Sequence, residues 1–412
     1  MSLRPASTPQ QRAGQVLGRL AELFEIGRQA GTNRPGLGEG EQRAHDLVAS
    51  WMTEAGLEME VDPAGNLIGR LPGSDPSLAE VWTGSHLDTP PDGGMFDGAL
   101  GVVAGLDAAA AIGAGSVRRT IAVVAFRLEE GCRFGRGVFG SRAMVGDIEP
   151  DEGDLLDADG ISVADAFAEL GLGRLPAHGW ADPPPACFLE THIEQGPVLA
   201  SVGAPLGVVT SIAGMAGFDV VFSGSRGHAG TVPMSLRSDA LGAAARFVLA
   251  AHEVARSIPG AVATIGRLVT LPGATNTIPG RAELFADLRA PDPAGLDALV
   301  EGATAAAEEA AVASACTAEL LPRWRYEPVA MDLATAAAVR RAVAGLGLDP
   351  VDLPSGAGHD AAIMATAGIP SAMLFVRSDA GGVSHAPEES TGADSIAACV
   401  QALESALREL AA

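Results

Sequence analysis

Cysteine is scarce in this sequence, and the four present, Cys132, Cys187, Cys316 and Cys399, stand far apart with no C-x-x-C pair. That spacing excludes a zinc knuckle and a disulfide framework, so the thiols are expected to be reduced. Basic residues are also few, 27 against 51 acidic ones, for a formal charge of -24. Such a surface repels phosphate backbones and anionic membranes, so neither nucleic acid nor a membrane is expected as a partner. No apolar run resembles a membrane span, and the stretch MSLRPASTPQQRAGQ lacks the apolar core of a signal peptide. A cytoplasmic location is the resulting expectation. No fixed-period repeat is visible, and neither Leu71–Pro76 nor Ala181–Pro185 is long enough for a disordered linker.

What remains is a globular balance, 47% hydrophobic and 19% charged, in 412 residues. At about 150 residues per domain this length points to two domains. Gln11–Thr53 carries apolar residues at helical spacing, among them Val16, Leu20, Leu23, Ala44, Val48 and Met52. Short β-rich runs follow at Asn66–Arg70, Val81–Ser85 and Thr120–Phe126, with an Ala-rich helical segment, Gly98–Ile112, between the last two. Cys187–Glu190 and Ala372–Val376 are two further strands expected in the same α/β layer.

A different rhythm occupies residues 211–328. Gly217–Phe222, Ala261–Ile265, Ala282–Leu288 and Ala318–Leu321 read as strands, and Ser238–Ser257 and Pro293–Ala315 as helices. The order suggests an α+β insert of the split βαβ, ferredoxin-like type. The expected fold class is therefore α/β: a catalytic domain with a central mixed sheet flanked by helices, spanning 1–210 and resuming at 329–412, with 211–328 inserted.

The chemistry-bearing residues gather at the C-terminal ends of the strands, where open α/β sheets place ligands. His86 and Asp88 follow a strand directly, and a metal-bound imidazole commonly gives its other ring N–H to a carboxylate, a role open to Asp88. Alone, His86 reads as an ordinary loop histidine. Asp97 begins a helix, where a plain N-cap is its simplest reading, yet two carboxylate oxygens also suit it to bridge two cations. Glu129 and Glu130 end an apolar strand, a costly placement unless they are solvated, protonated or bound to a cation. Strand alternation would point them apart, leaving Glu130 to ligate and Glu129 to act as general base. His192 and His385 complete the count, although each alone reads as structural. Together, His86, Asp97, Glu130, His192 and His385 give two mixed N/O shells sharing Asp97, suited to two zinc ions and also to manganese, cobalt or nickel.

With these residues in view, the sequence resembles the hydantoinase/carbamoylase branch of the M20 family of dinuclear metal amidohydrolases and peptidases. The motifs that carry the resemblance run from about Gly84 to Glu389: GSHLDT, FDGALGV, RLEEGCRFG, ETHIEQGPVL, GHAGTVPM, ATNTIPG, DLR, SGAGHDA and GVSHAPEE. It implies that His86, Asp97 and His192 bind one metal and Asp97, Glu130 and His385 the other, with Glu129 as the acid/base. The histidine at 192 marks this branch, since peptidase relatives usually carry a carboxylate there. Glu190 and Glu194 stand near enough in sequence to compete for that assignment.

Read alone, Arg289 makes a surface ion pair with Asp287 or Asp292; the resemblance instead gives it the substrate carboxylate, with Asn276 as a second donor. The same resemblance assigns His228 to the developing oxyanion, Gln195 to a carbamoyl or ureido group and Gly358 to a backbone contact. His359 and Asp360 are expected to hold their loop, and His45, His178 and His252 to be structural. The insert is expected to be a lid used for homodimerisation. The implied reaction is hydrolysis of an N-carbamoyl-L-amino acid to the amino acid, ammonia and carbon dioxide. Allantoate is the nearest alternative substrate, and an exopeptidase or N-acyl deacylase is a further one. A metal-stabilised binding protein without turnover is disfavoured by Glu129.

Overall fold

The computed structural model describes residues 8–175, 179 and 183–412. His178, Ala181 and Asp182 lie outside them. The chain divides into two compact units, one of residues 1–210, 331–353 and 359–412, the other of 211–330 and 354–358.

In the first unit the sheet runs Glu58–Val61, Leu67–Leu71, Ile121–Phe126, Val81–His86, Cys187–Ile193, Ser371–Val376 and then Leu206–Ile212. Ile121–Phe126, Val81–His86, Cys187–Ile193 and Ser371–Val376 are mutually parallel, and every residue in them is buried. Continuous burial is what parallel strands covered on both faces require. Because the four share a direction, their C-terminal ends fall on one edge. There the chain delivers His86, the Glu129–Glu130 loop, His192 and the loop that leads to His385.

Helix Ala99–Ile112 follows the Asp97 loop and is buried along most of its length. A Cβ at Gly101 would stand 2.2 Å from the Thr191 carbonyl oxygen and 2.7 Å from Ser85 Cβ. Glycine thus lets this helix lie against the strands that carry His86 and His192; an added methyl would overpack the contact at about 1–3 kcal/mol. The helix's one charged group, Asp107, is neutralised by Arg12 at 2.7 Å, which also reaches Glu404 at 2.5 Å.

The N-terminal helical expectation resolves into two helices, Pro9–Phe24 and Glu39–Glu54. The first opens with a capping box between Thr8 and Gln11 and a proline in its first turn. Gly27, Gly31, Pro35, Gly36 and Gly38 break the pattern between them. His45 is buried on the second helix, whereas His252 is half-buried on Ala240–Ser257 of the other unit. The four cysteines are free. No helix among the described residues is long and apolar enough to cross a membrane.

The second unit is a four-stranded antiparallel sheet in the order Thr317–Tyr326, Gly214–Ser223, Arg281–Ala290, Val262–Leu271. Helices Ala240–Ser257 and Pro293–Ala313 pack on one face. Along Arg281–Ala290 the side chains alternate: Ala282, Leu284, Ala286, Leu288 and Ala290 enter that core, while Asp287 and Arg289 occupy the other face. Gly227–His228 and Thr277–Ile278 form a separate two-stranded ribbon.

Candidate metal centre

Asp97 is the hub of the first unit's polar edge. Its Oδ1 lies 3.1 Å from His192 Nε2 and 3.6 Å from His86 Nε2, and its Oδ2 lies 3.2 Å from His385 Nε2. His385 Nε2 is in turn 3.5 Å from Glu130 Oε1, and His86 Nε2 is 3.9 Å from Glu129 Oε2. Three groups of possible ligand atoms result, each spanning no more than 4.8 Å: His86, Asp97 and His192; Asp97, Glu130 and His385; and His86, Glu129 and Glu130. The N-cap alternative for Asp97 is not realised, because Gly98 takes that position. A side chain at Gly98 would enter the His86 ring at 2.4 Å, and its φ of 61° is one that glycine adopts freely.

The ring orientations are set from behind. His86 Nδ1 donates to the Asp88 carbonyl at 3.1 Å and His192 Nδ1 to the Ile193 carbonyl at 2.9 Å. A carbonyl can only accept, so Nδ1 of each ring carries a proton and Nε2 is the atom that each ring turns toward Asp97. The Asp88 carboxylate stands 3.5 Å from His86 Nδ1, and its hydrogen bonds come from the Glu129 N–H at 2.9 Å and the Glu130 N–H at 3.1 Å. Asp88 therefore joins the histidine loop to the acid loop. The strand ends at Phe126 and Leu128 is left-handed (φ 50°), so strand alternation does not place Glu129 and Glu130, and a carboxylate oxygen of each lies within 4.8 Å of the other.

Electrostatics of the cluster are strongly coupled. Burial opposes ionisation of Asp97, but His192, His385 and His86 hold it well below the ordinary carboxylate range. Burial raises Glu129 well above its usual value, with Glu130, Asp360 and Asp88 adding to the shift against the pull of His86. Glu130 is pushed up to about 8 by burial and Asp97. His385 is raised to about 9, chiefly by its bond to Asp97. Glu130 Oε1 is buried without a hydrogen-bond partner. An orphaned carboxylate oxygen facing imidazoles and a shared aspartate is a donor set that fits divalent cations.

Glu190 accepts from Ser85 Oγ at 2.7 Å and the Ala361 N–H at 2.8 Å, and Glu194 from the Val198 and Leu199 N–H groups. Both acids are thereby occupied away from the ligand groups. His359 packs its ring on His192, centroids 4.6 Å apart, and Asp360 accepts from Ser141 Oγ at 2.6 Å. Gln195, in a left-handed conformation (φ 56°), donates through Nε2 to Asp97 Oδ2 at 2.9 Å. Glu389 carried no sequence role. Its Oε1 accepts from the Phe96 and Asp97 N–H groups at 2.7 and 3.0 Å, and its Oε2 from Ser384 Oγ at 2.7 Å. Its place in the GVSHAPEE motif was the only signal.

In the second unit, His228 lies in the two-stranded ribbon and Asn276 directly precedes its second strand, where the Ala229 N–H donates to the Asn276 carbonyl at 3.0 Å. His228 Nδ1 accepts from the Gly230 N–H at 3.1 Å, leaving its proton on Nε2 as a free donor. Arg289 makes the bidentate pair with Asp287, 2.8 Å through each arm, and also donates to the Gly356 carbonyl at 2.7 Å. The ion pair and the carboxylate-binding reading are compatible, since Arg289 remains about a third exposed. Its bond to Gly356 also ties it to the loop that carries Gly358.

A parallel-strand edge bearing two ligand groups that share one aspartate is the arrangement of a dinuclear metallohydrolase. The chain belongs to peptidase family M20/M25/M40, whose pattern matches residues 82–409. It is 42% identical over 377 residues to an N-carbamoyl-L-amino acid amidohydrolase of Geobacillus stearothermophilus, covering 90% of this chain and 92% of that one. It is 37% identical to a probable allantoate deiminase of Oryza sativa subsp. japonica, covering 93% and 86%. The crystal structure of an amidase of the hydantoinase/carbamoylase family from Burkholderia multivorans superposes with a TM-score of 0.91 at 33% identity, covering 97% and 98%.

Proposed function

We propose that this protein hydrolyses an N-carbamoyl-L-amino acid to the free amino acid, ammonia and carbon dioxide. The observation that carries the reading is the pair of ligand groups sharing Asp97, with Glu129 beside His86. In it His86, Asp97 and His192 hold one divalent cation and Asp97, Glu130 and His385 a second, zinc foremost, with manganese, cobalt or nickel as substitutes. When bound, the cations supply Lewis-acid polarisation of the carbamoyl carbonyl and acidify water.

The chain's own residues do the rest. Glu129 accepts a proton from the attacking water as the O–C bond forms, then returns it to the departing nitrogen as the C–N bond breaks. Its Oε2 stands 3.9 Å from His86 Nε2, which puts the carboxylate beside the ligand group where that proton moves. His228 donates from Nε2 to the developing oxyanion, Gln195 binds the carbamoyl group, and Arg289, Asn276 and the Gly358 backbone fix the substrate carboxylate. Support for the substrate class comes from the N-carbamoyl-L-amino-acid amidohydrolases at 42%, 39% and 36% identity. Allantoate is the second reading, supported by the relatives named for it at 37% and 35%.

Ammonia release from metal-reconstituted protein across N-carbamoyl-L-amino acids, β-ureidopropionate and allantoate is the deciding measurement. Fastest turnover of N-carbamoyl-L-amino acids is expected; preference for allantoate replaces the first reading with the second, and no release from any of them removes both. Residues 211–328 are further proposed as a lid and dimerisation domain. Sedimentation of the protein at assay concentration should then show a homodimer, and a monomer alone overturns that part.

A further inference from the structure

The motifs begin at Gly84, and the family pattern at residue 82, yet a segment far upstream grips the loops that bear the ligands. Residues 32–41 follow helix Pro9–Phe24, enter the first turn of helix Glu39–Glu54 and touch both acid-bearing loops. Thr32 and Gly93 exchange backbone hydrogen bonds at 3.0 and 2.9 Å, and the Thr89 N–H donates to the Arg34 carbonyl at 3.0 Å. The Arg34 guanidinium donates from Nε to the Leu87 carbonyl at 2.7 Å, between His86 and Asp88 in sequence, and from Nη1 to the Leu23 carbonyl and Thr32 Oγ1.

At the other end of the segment, Glu41 Oε1 accepts from the Leu128 N–H at 2.9 Å, immediately before Glu129. Its Oε2 accepts from Arg127 Nη1 at 3.0 Å and from the Leu37 N–H at 2.8 Å. Gly36 packs so tightly there that a Cβ would stand 2.2 Å from Leu128 Cδ1 and 2.8 Å from Leu128 Cα. Arg34 is 1% exposed and Glu41 is fully buried. Desolvating a guanidinium whose acceptors are carbonyls and a hydroxyl is costly, and nothing about the hydrophobic core calls for it.

We propose that Arg34 and Glu41 are positioning residues that tie the His86–Asp88 loop and the Glu129–Glu130 loop to one upstream segment. The spacing between the metal groups and Glu129 is thereby set from outside the ligand set. Asp88 links the same two loops from the inside, so the segment closes a second, independent connection between them.

The proposal rests on the reading of His86, Asp97 and Glu130 as ligands and of Glu129 as the base. Wild-type protein tests that reading first: activity independent of metal would overturn it whatever the variants do. The variants are Arg34→Lys, which keeps the charge but loses the fork; Glu41→Gln, which keeps the size; and Glu41→Asp, which keeps the charge but shortens the reach. Arg12→Met is the control, because it breaks a partly buried ion-pair cluster of the same unit that touches neither loop.

Zinc affinity by chelator competition, kcat, KM and the thermal midpoint are measured for each. Arg34→Lys and Glu41→Gln are expected to weaken zinc binding and to lower kcat by about 10-fold or more, with KM within about 2-fold. Arg12→Met should keep both values at a comparable loss of thermal midpoint. Should Glu41→Gln not fold, Arg34→Lys and Glu41→Asp carry the test. Folded variants with wild-type zinc affinity and kcat overturn the proposal, as does an equal loss in Arg12→Met.

Discussion

Most candidate site residues of the two units are held in opposite ways, although His385 of the first is half exposed. In the first, His86, Asp97 and His192 are buried, and their rings or backbones are held by Asp88, Ile193 and Glu389. In the second, His228 and Asn276 are exposed, and their contacts come from their own ribbon and turn. Burial with many fixed contacts suits groups that must hold charge at set distances. Exposed donors on a short ribbon suit groups that meet a ligand carrying its own charge. The contrast separates the metal-binding and proton-moving groups from the carboxylate-binding Arg289 and Asn276, and variants of these two sets should therefore fail in different ways.

The largest effect belongs to the first unit. Glu129→Gln keeps the shape of the loop, and the Asp88 grip acts on the Glu129 backbone N–H rather than on its carboxylate. It should lower kcat by about 10²- to 10⁴-fold while leaving zinc content and KM near those of the wild type. Steady-state kinetics on the metal-loaded variant, with metal analysis of the same sample, provide the check. A variant that loses its metal would move Glu129 into the ligand set with His86 and Glu130, a grouping the geometry also contains.

Arg289 gives the intermediate effect and the opposite signature. Lysine keeps the charge but cannot span Asp287, Gly356 and a substrate carboxylate with one planar fork. Arg289→Lys should raise KM by about 10- to 100-fold, in keeping with the 1.5–3 kcal/mol typical of hydrogen bonds to charged groups, with kcat and zinc affinity little changed. A fall in kcat at constant KM would break the comparison, because it would give Arg289 itself a share in the chemistry.

The same contrast explains what could be read from the chain alone. The four central strands and the loops after them were legible because apolar β-rich runs end abruptly in acids or histidines, as at Phe126 and Ser85. Local spacing could suggest that Asp88 is an orienting group, but not that its carboxylate grips the N–H groups of Glu129 and Glu130, 41 and 42 residues away. Nor could it show that Arg34 reaches Leu87 or that Glu41 reaches Leu128. Those contacts depend on tertiary placement of a glycine-broken segment that the helical periodicity of residues 11–53 passed over. For Arg289, spacing supplied the Asp287 pair and resemblance supplied the substrate role; the structure contains the first, and the side chain stays about a third exposed.

The smallest effect is graded and sharpens the contrast through pH. In the metal-free cluster His385 holds its proton up to about 9 and Glu130 up to about 8. Both shifts are upward, so near pH 7 these groups are protonated and a cation must displace those protons to bind. Zinc affinity should therefore strengthen as pH rises from 6 through about 8 to 9, by as much as about tenfold per pH unit for each proton displaced, and then level off. Arg289 stays cationic across that range, its charge stabilised by Asp287, so the KM of fully loaded enzyme for a carboxylate substrate should change little over the same interval. Calorimetric zinc titrations at pH 7 in two buffers of different ionisation enthalpy count the released protons directly. Flat zinc affinity with no proton release would mean that the first unit's acids and imidazoles are not the groups that receive the metal, and the division of labour between the two units would fall with it.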